Sequence, residues 1–124
     1  MPLGDVWDVM KEQTVIVGSL QSLGALFTTA PVTKTADFTV AATETVLISD
    51  RGATNTVTLP SASLNSGRIL LIKTIQAFTV VSAASDVIPR VGGAAGTAIL
   101  AATDGAWALL VSNGTAWENM AGTP

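Results

Sequence analysis

The chain has 124 residues, of which 48% are apolar and 12% are charged, and its formal net charge at pH 7 is −3. Charged residues make up about half of their usual share, so a solitary globule would present an unusually apolar surface, and burial against other subunits is expected. No cysteine or histidine occurs, which excludes disulfides, Cys and Ser-His nucleophiles and the usual zinc ligands, and the acidic balance disfavours nucleic acid as a partner.

Residues 13–33 carry no charge, which raises the question of a membrane span or an export signal. Polar residues interrupt this stretch repeatedly, and no unbroken apolar run approaches the roughly 20 residues that a span requires. The preceding residues are acidic overall, whereas an export signal begins with basic ones. We therefore predict that the chain has no membrane partner.

A heptad pattern marks the N-terminal segment, which we predict to be a helix within a separate unit of residues 1–30. The seam residues, at alternating spacings of three and four, are Val6, Val9, Gln13, Ile16, Leu20, Leu23 and Phe27. Asp5 is the expected N-cap, and Pro31 ends the helix because the residue before a proline avoids the helical region. The seam predicts an oligomerisation or anchoring helix.

Two readings of this helix remain open. A polar seam residue such as Gln13 fixes register and subunit number in coiled coils, which favours self-association, with a trimer expected. The alternative is a single amphipathic helix lying on its own domain. Trp7 lies outside the seam and is the residue at which the helix would dock on something else.

Residues 31–124 change from a helical period to the alternation that is typical of strands. The predicted strands are residues 34–40, 45–49, 55–59, 68–73, 78–82, 87–91, 97–100, 106–112 and 115–120. Turn residues separate nearly all of them, and Asn113-Gly114 between two such runs predicts a β-hairpin. The sequence therefore predicts a mainly β protein, with the helix followed by a compact, largely antiparallel sandwich or barrel of about eight short strands.

The tryptophans of the last two strands bear on the predicted core. Trp107 alternates in phase with Leu109 and Val111, so we expect these three side chains to face the core. A two-residue turn at Asn113-Gly114 would place Trp117 opposite Leu110 across the hairpin. Both tryptophans are thus predicted to stabilise the β domain.

Catalytic constellations are not evident among the nine carboxylates. Asp50, Asp86 and Asp104 stand at strand ends or turns, where capping is their ordinary role. The glycine-rich residues 92–96 lack the Lys-Ser/Thr of a phosphate-binding loop. We predict no catalytic residue, no metal site and no cofactor.

Several short motifs occur in a distinctive order along the β region. They are TVTLPSA at 56–62, GRILLIK at 67–73, VV at 80–81, VI at 87–88 and LVSNGTAW at 110–117. Over about residues 45–118 this order resembles the β modules of bacteriophage fibre and head-decoration proteins. Members of that class are typically trimeric virion surface proteins without enzymatic activity.

The resemblance implies a function, which stays an expectation here. A chain with one short helix ahead of one β module resembles a capsid decoration protein or a short head fibre, made in the bacterial cytoplasm and bound to the major capsid protein. The alternative is a tail fibre or receptor-binding module whose partner is a host surface glycan. A third hypothesis, a carboxylate-dependent hydrolase acting on polysaccharide, lacks a visible acid–base pair.

Overall fold

A computed structural model describes residues 30–123, which form ten strands in two mixed sheets. The strands are β1 (Val32–Lys34), β2 (Phe38–Thr39), β3 (Val46–Ser49), β4 (Asn55–Thr58), β5 (Ile69–Thr74), β6 (Val80–Ser82), β7 (Val87–Ile88), β8 (Ala98–Leu100), β9 (Trp107–Ser112) and β10 (Trp117–Gly122). The six-stranded sheet has the order β1-β3-β5-β9-β10-β7, and the four-stranded sheet has the order β2-β4-β6-β8. The mainly β prediction is confirmed. The predicted N-terminal helix lies outside the described residues.

The first six strands form three successive coils, each contributing one strand to each sheet. β1, β3 and β5 are parallel neighbours in the larger sheet, and β2, β4 and β6 are parallel neighbours in the smaller one. Antiparallel ladders join β6 with β8, β5 with β9 and β9 with β10, and a single antiparallel bridge joins Val87 to Gly96. The prediction of a largely antiparallel fold is therefore wrong, because most short strands follow coil connections rather than hairpins.

The second and third coils repeat with one period in both sheets. Val46 pairs with Leu71 and Asn55 pairs with Val80, an offset of 25 residues in each case. The hydroxyls of Thr54 and Thr79, also 25 residues apart, are 2.9 Å from each other. Because the two coils have equal length, equivalent positions are stacked above one another, and the corner at Thr54 and Thr79 stays in register with the strands.

The predicted hairpin at the C-terminal end is confirmed, but its register differs from the prediction. Trp117 pairs with Ser112 rather than with Leu110, and the chain turns through residues 113–116. Gly114 has a φ of +89°, a conformation that a glycine adopts at no steric cost. A register shift between Asn119 and Ala121 marks a bulge in β10.

The core lies between the two sheets and draws on both. Leu47, Leu70 and Leu110 contribute from the six-stranded sheet, and Val57 and Val80 contribute from the four-stranded sheet, all without solvent exposure. The largest fully buried side chain is that of Trp117, whose Nε1–H donates to the backbone carbonyl of Pro60 at 2.9 Å. No helix able to span a membrane occurs among residues 30–123.

Candidate self-association surface

The seam residues and Trp7, which the sequence nominates for assembly, all precede residue 30. Val6, Trp7, Val9, Gln13, Ile16, Leu20, Leu23 and Phe27 therefore lie outside the described residues, and their role stays a prediction. Within the described β domain, the surface best suited to association is one face of the six-stranded sheet.

We use the term outer face for the side of the six-stranded sheet that points away from the core. Its positions fall into three rows across the strands, as the pairing register fixes them. The rows are Val46-Leu71-Leu109-Ala121, Thr33-Ile48-Lys73-Trp107, and Ile69-Val111-Glu118-Ile88. Eight of these twelve side chains are large and apolar, which is unusual for the solvated side of a sheet.

The exposure of this face confirms that it is not a second core. Ile69 is 50% exposed and Trp107 is 37% exposed, while Leu71, Leu109 and Val111 are partly exposed. The outer face is thus a continuous apolar surface accessible to a partner.

The strand β9 departs from the prediction made for it. Trp107, Leu109 and Val111 do share one face, but that face is the outer one. The side chains that point into the core are Ala108, Leu110 and Ser112, all buried. The prediction that Trp107 is buried is wrong because alternation groups side chains by face without saying which face meets the other sheet.

The opposite surface of the domain, on the four-stranded sheet, is different in character. Its outward positions are Thr39, Thr56, Thr58, Val81 and Ala98. Three of these five side chains are threonines, and the other two are small or medium-sized. This surface is suited to water. Among the strands of the two sheets, the large apolar side chains that point outward are therefore concentrated on the six-stranded sheet.

Charged side chains form an ion pair between the first strand, β1, and the segment that precedes β3. The Nζ of Lys34 is 2.8 Å from a carboxylate oxygen of Glu44, and it lies 5.2 Å from the ring centre of Phe38. The other carboxylate oxygen of Glu44 accepts a hydrogen bond from the backbone N–H of Ala41 at 2.7 Å. The hydrogen bond from Lys34 is the main reason why the pKa of Glu44 lies below its usual value, and the bond from Ala41 is the second.

Arg68 joins this corner to the start of β5. Its guanidinium donates to the backbone carbonyls of Ala41 and Glu44, each at 2.8 Å. Arg68 thus ties the segment before β3 to the start of β5.

A groove of about 560 Å³ opens between β8 and the paired strands β7 and β10. Its walls are mainly apolar, and Arg90 and Asn119 are the longest polar side chains that line it. The guanidinium of Arg90 donates to the backbone carbonyl of Gly122, and the Oδ1 of Asn119 is buried without a hydrogen-bond partner. The groove holds no pair of titratable groups suited to acid–base chemistry.

Two of the turn aspartates, Asp50 and Asp86, have structural partners. Asp50 accepts a hydrogen bond from the side chain of Gln76 at 2.7 Å, and Asp86 accepts one from the hydroxyl of Ser82 at 2.5 Å. Within residues 30–123, no group of three or more Asp, Glu, His or Cys side chains is placed to hold a metal ion. Asp50 and Asp86 thus hold neighbouring segments together.

Comparison of the chain with models of known families, with curated proteins and with solved structures finds no match.

Proposed function

We propose that the protein is a non-enzymatic structural component of a bacteriophage virion, a homotrimer that decorates the head and stabilises it by binding the major capsid protein. The apolar outer face of the six-stranded sheet is the observation that carries this proposal. A surface of this kind favours permanent burial between subunits over reversible contact with a small molecule. The order of the β motifs along residues 45–118 supports the assignment to a virion.

In this proposal the two parts of the chain have different roles. Residues 1–30 join the subunits or grip the shell, and the β domain forms a rigid body that faces outward. Three subunits held in one particle bind three neighbouring capsid sites, and after the first contact the other two are intramolecular. Modest individual affinities then add up, and the bridged capsid subunits resist the internal pressure of packaged DNA.

The rigidity that such a bridge needs is consistent with the coil stack. The parallel coils are linked by backbone hydrogen bonds between neighbouring strands in both sheets. They also meet at a corner, where the hydroxyls of Thr54 and Thr79 are 2.9 Å apart. A body of this kind transmits load between contacts without rearranging.

The test is binding to heads of the encoding phage that were assembled without this protein. The purified chain is mixed with these heads, which are sedimented and then imaged. We expect saturable binding at symmetry-related surface sites and a raised temperature of DNA release. A matched control uses Thr56→Lys, which alters only the polar surface of the four-stranded sheet and should bind as the unaltered chain does. Binding to host cells or purified surface glycan, with none to heads, would overturn the proposal in favour of a receptor-binding module.

A further inference from the structure

We propose that the outer face of the six-stranded sheet packs against the outer faces of other copies of this chain. This inference rests on the proposed function only in requiring a homo-oligomer. It adds the surface by which the β domains meet, which the N-terminal seam does not specify. In a trimer, three such faces would surround the symmetry axis.

The central strands have the composition of strands that are covered on both sides. In β3 the outward Val46 and Ile48 alternate with the inward Leu47, and in β5 the residues Ile69–Ile72 are apolar without interruption. Such continuous apolar runs are typical of sheets with a layer on each face. The four-stranded sheet supplies one of these layers, so a second layer is expected on the outer face.

The size of the face indicates what that layer is. The six strands contain 27 residues in all, and at about 3.3 Å per residue and 4.8 Å between strands they cover roughly 430 Å². This flat area is about half of the roughly 800 Å² of accessible surface that a specific interface buries per partner. The sheets of other copies would cover the whole face, whereas a single helix of about 10 Å diameter laid across the six strands would cover about two thirds of it.

The charges on the face are compatible with a second copy. Lys73 and Glu118 are its two charged residues, one on β5 and the other on β10. The face is therefore neutral as a whole, and two copies do not meet as surfaces of like charge. The two charges lie toward opposite ends of the strands, in different rows, which leaves the central row of Val46, Leu71 and Leu109 apolar throughout.

The decisive experiment changes the centre of this row. Leu109 lies on the fourth of six strands, so copies of Leu109 come close to one another when the faces meet near their centres. We expect the unaltered chain to sediment as an oligomer at micromolar concentration and Leu109→Lys to sediment as a monomer with an unchanged circular dichroism spectrum. Thr56→Lys, a matched change at an outward position of β4, should retain the mass of the unaltered oligomer.

A cysteine variant tests the contact without adding a charge to the sheet. The chain contains no cysteine, so Leu109→Cys introduces a single thiol. Mild oxidation should link most of its chains into covalent dimers, whereas Thr56→Cys should remain unlinked. This variant stays informative even where Leu109→Lys fails to fold.

Three results would overturn the inference. One is a folded Leu109→Lys that keeps the mass of the unaltered oligomer, and another is an oligomeric Leu109→Cys that does not cross-link. The third is an unaltered chain that is monomeric, with its own N-terminal segment covering the face. Failure of the two proposals is distinguishable: an oligomer linked through Leu109 that does not bind heads refutes the proposed function alone. If Leu109→Lys remains an oligomer and still binds heads, this inference alone is refuted.

Discussion

Two tryptophans on opposite faces of the same hairpin provide a quantitative test of which face is the core. Trp117 is fully buried and Trp107 is 37% exposed on the outer face. Removing a buried tryptophan forfeits roughly 200 Å² of burial and leaves a cavity, so Trp117→Ala should lower the free energy of unfolding by about 3–5 kcal/mol. It also leaves the carbonyl of Pro60 without its 2.9 Å hydrogen bond. At about 4 °C per kcal/mol, the unfolding temperature should fall by about 12–20 °C.

Trp107→Ala leaves no internal cavity, and we expect it to cost an isolated subunit about 2 kcal/mol or less. Its main effect should be on association, so its unfolding temperature should lose the dependence on protein concentration that the unaltered oligomer shows. Thermal and urea unfolding at several protein concentrations, each followed by circular dichroism, measure both effects. Equal, concentration-independent losses for Trp107→Ala and Trp117→Ala would refute the assignment of inner and outer faces.

Three further changes probe local contacts. In Gly122→Ala, the new Cβ would lie 2.1 Å from the backbone carbonyl oxygen of Trp107, so the end of β10 must shift; we expect a loss of about 1–3 kcal/mol in urea unfolding. Because the folded state lowers the pKa of Glu44, mainly through Lys34, the carboxylate stabilises the fold above its ordinary pKa of 4.5 and the effect is lost as the pH falls through the lowered value. Glu44→Gln should therefore unfold at a lower temperature than the unaltered chain at pH 7, with the difference shrinking in acid; a constant difference would contradict this. Asn55 is buried with an unpartnered Oδ1, and its Nδ2 donates to the Oγ of Ser49 at 2.8 Å. Asn55→Val should lose about 1–3 kcal/mol because that hydroxyl is left unpaired, whereas Asn55→Asp should lose more than about 3 kcal/mol, and equal losses would argue against the burial of Asn55.

The positions of the strands could be predicted from the sequence, because alternation and turn chemistry are local signals. The predicted strand at residues 45–49 became Val46–Ser49, and the one at 106–112 became Trp107–Ser112. The predicted strand at 34–40 is the exception, since a bend divides this region between β1 and β2, which join different sheets. The position of such a bend depends on how the chain packs on the following coil, so the local alternation of apolar and polar residues does not predict it.

Parallel pairing was missed because it depends on a comparison of distant segments. The signal was present: Ser49 and Thr74 are hydroxyl residues 25 positions apart. Ser49 directly follows the apolar run 46–48, and Thr74 follows the apolar run 69–72 after one lysine. Thr54 and Thr79 repeat the same offset ahead of the next pair of strands. Each match is weak alone, and only the paired sheets make the period evident.

The outward side of β9 could not be predicted from alternation because both of its faces contain large apolar residues. Hydropathy places Trp107, Leu109 and Val111 inside, yet the core receives Ala108, Leu110 and Ser112. This smaller set shares the core with Trp117 and with Leu70 and Ile72 of β5. The strand therefore gives its bulkier set to the outer face, where room is not limited by the chain itself. The proposed association would bury that set against other copies of the chain, as its apolar character favours.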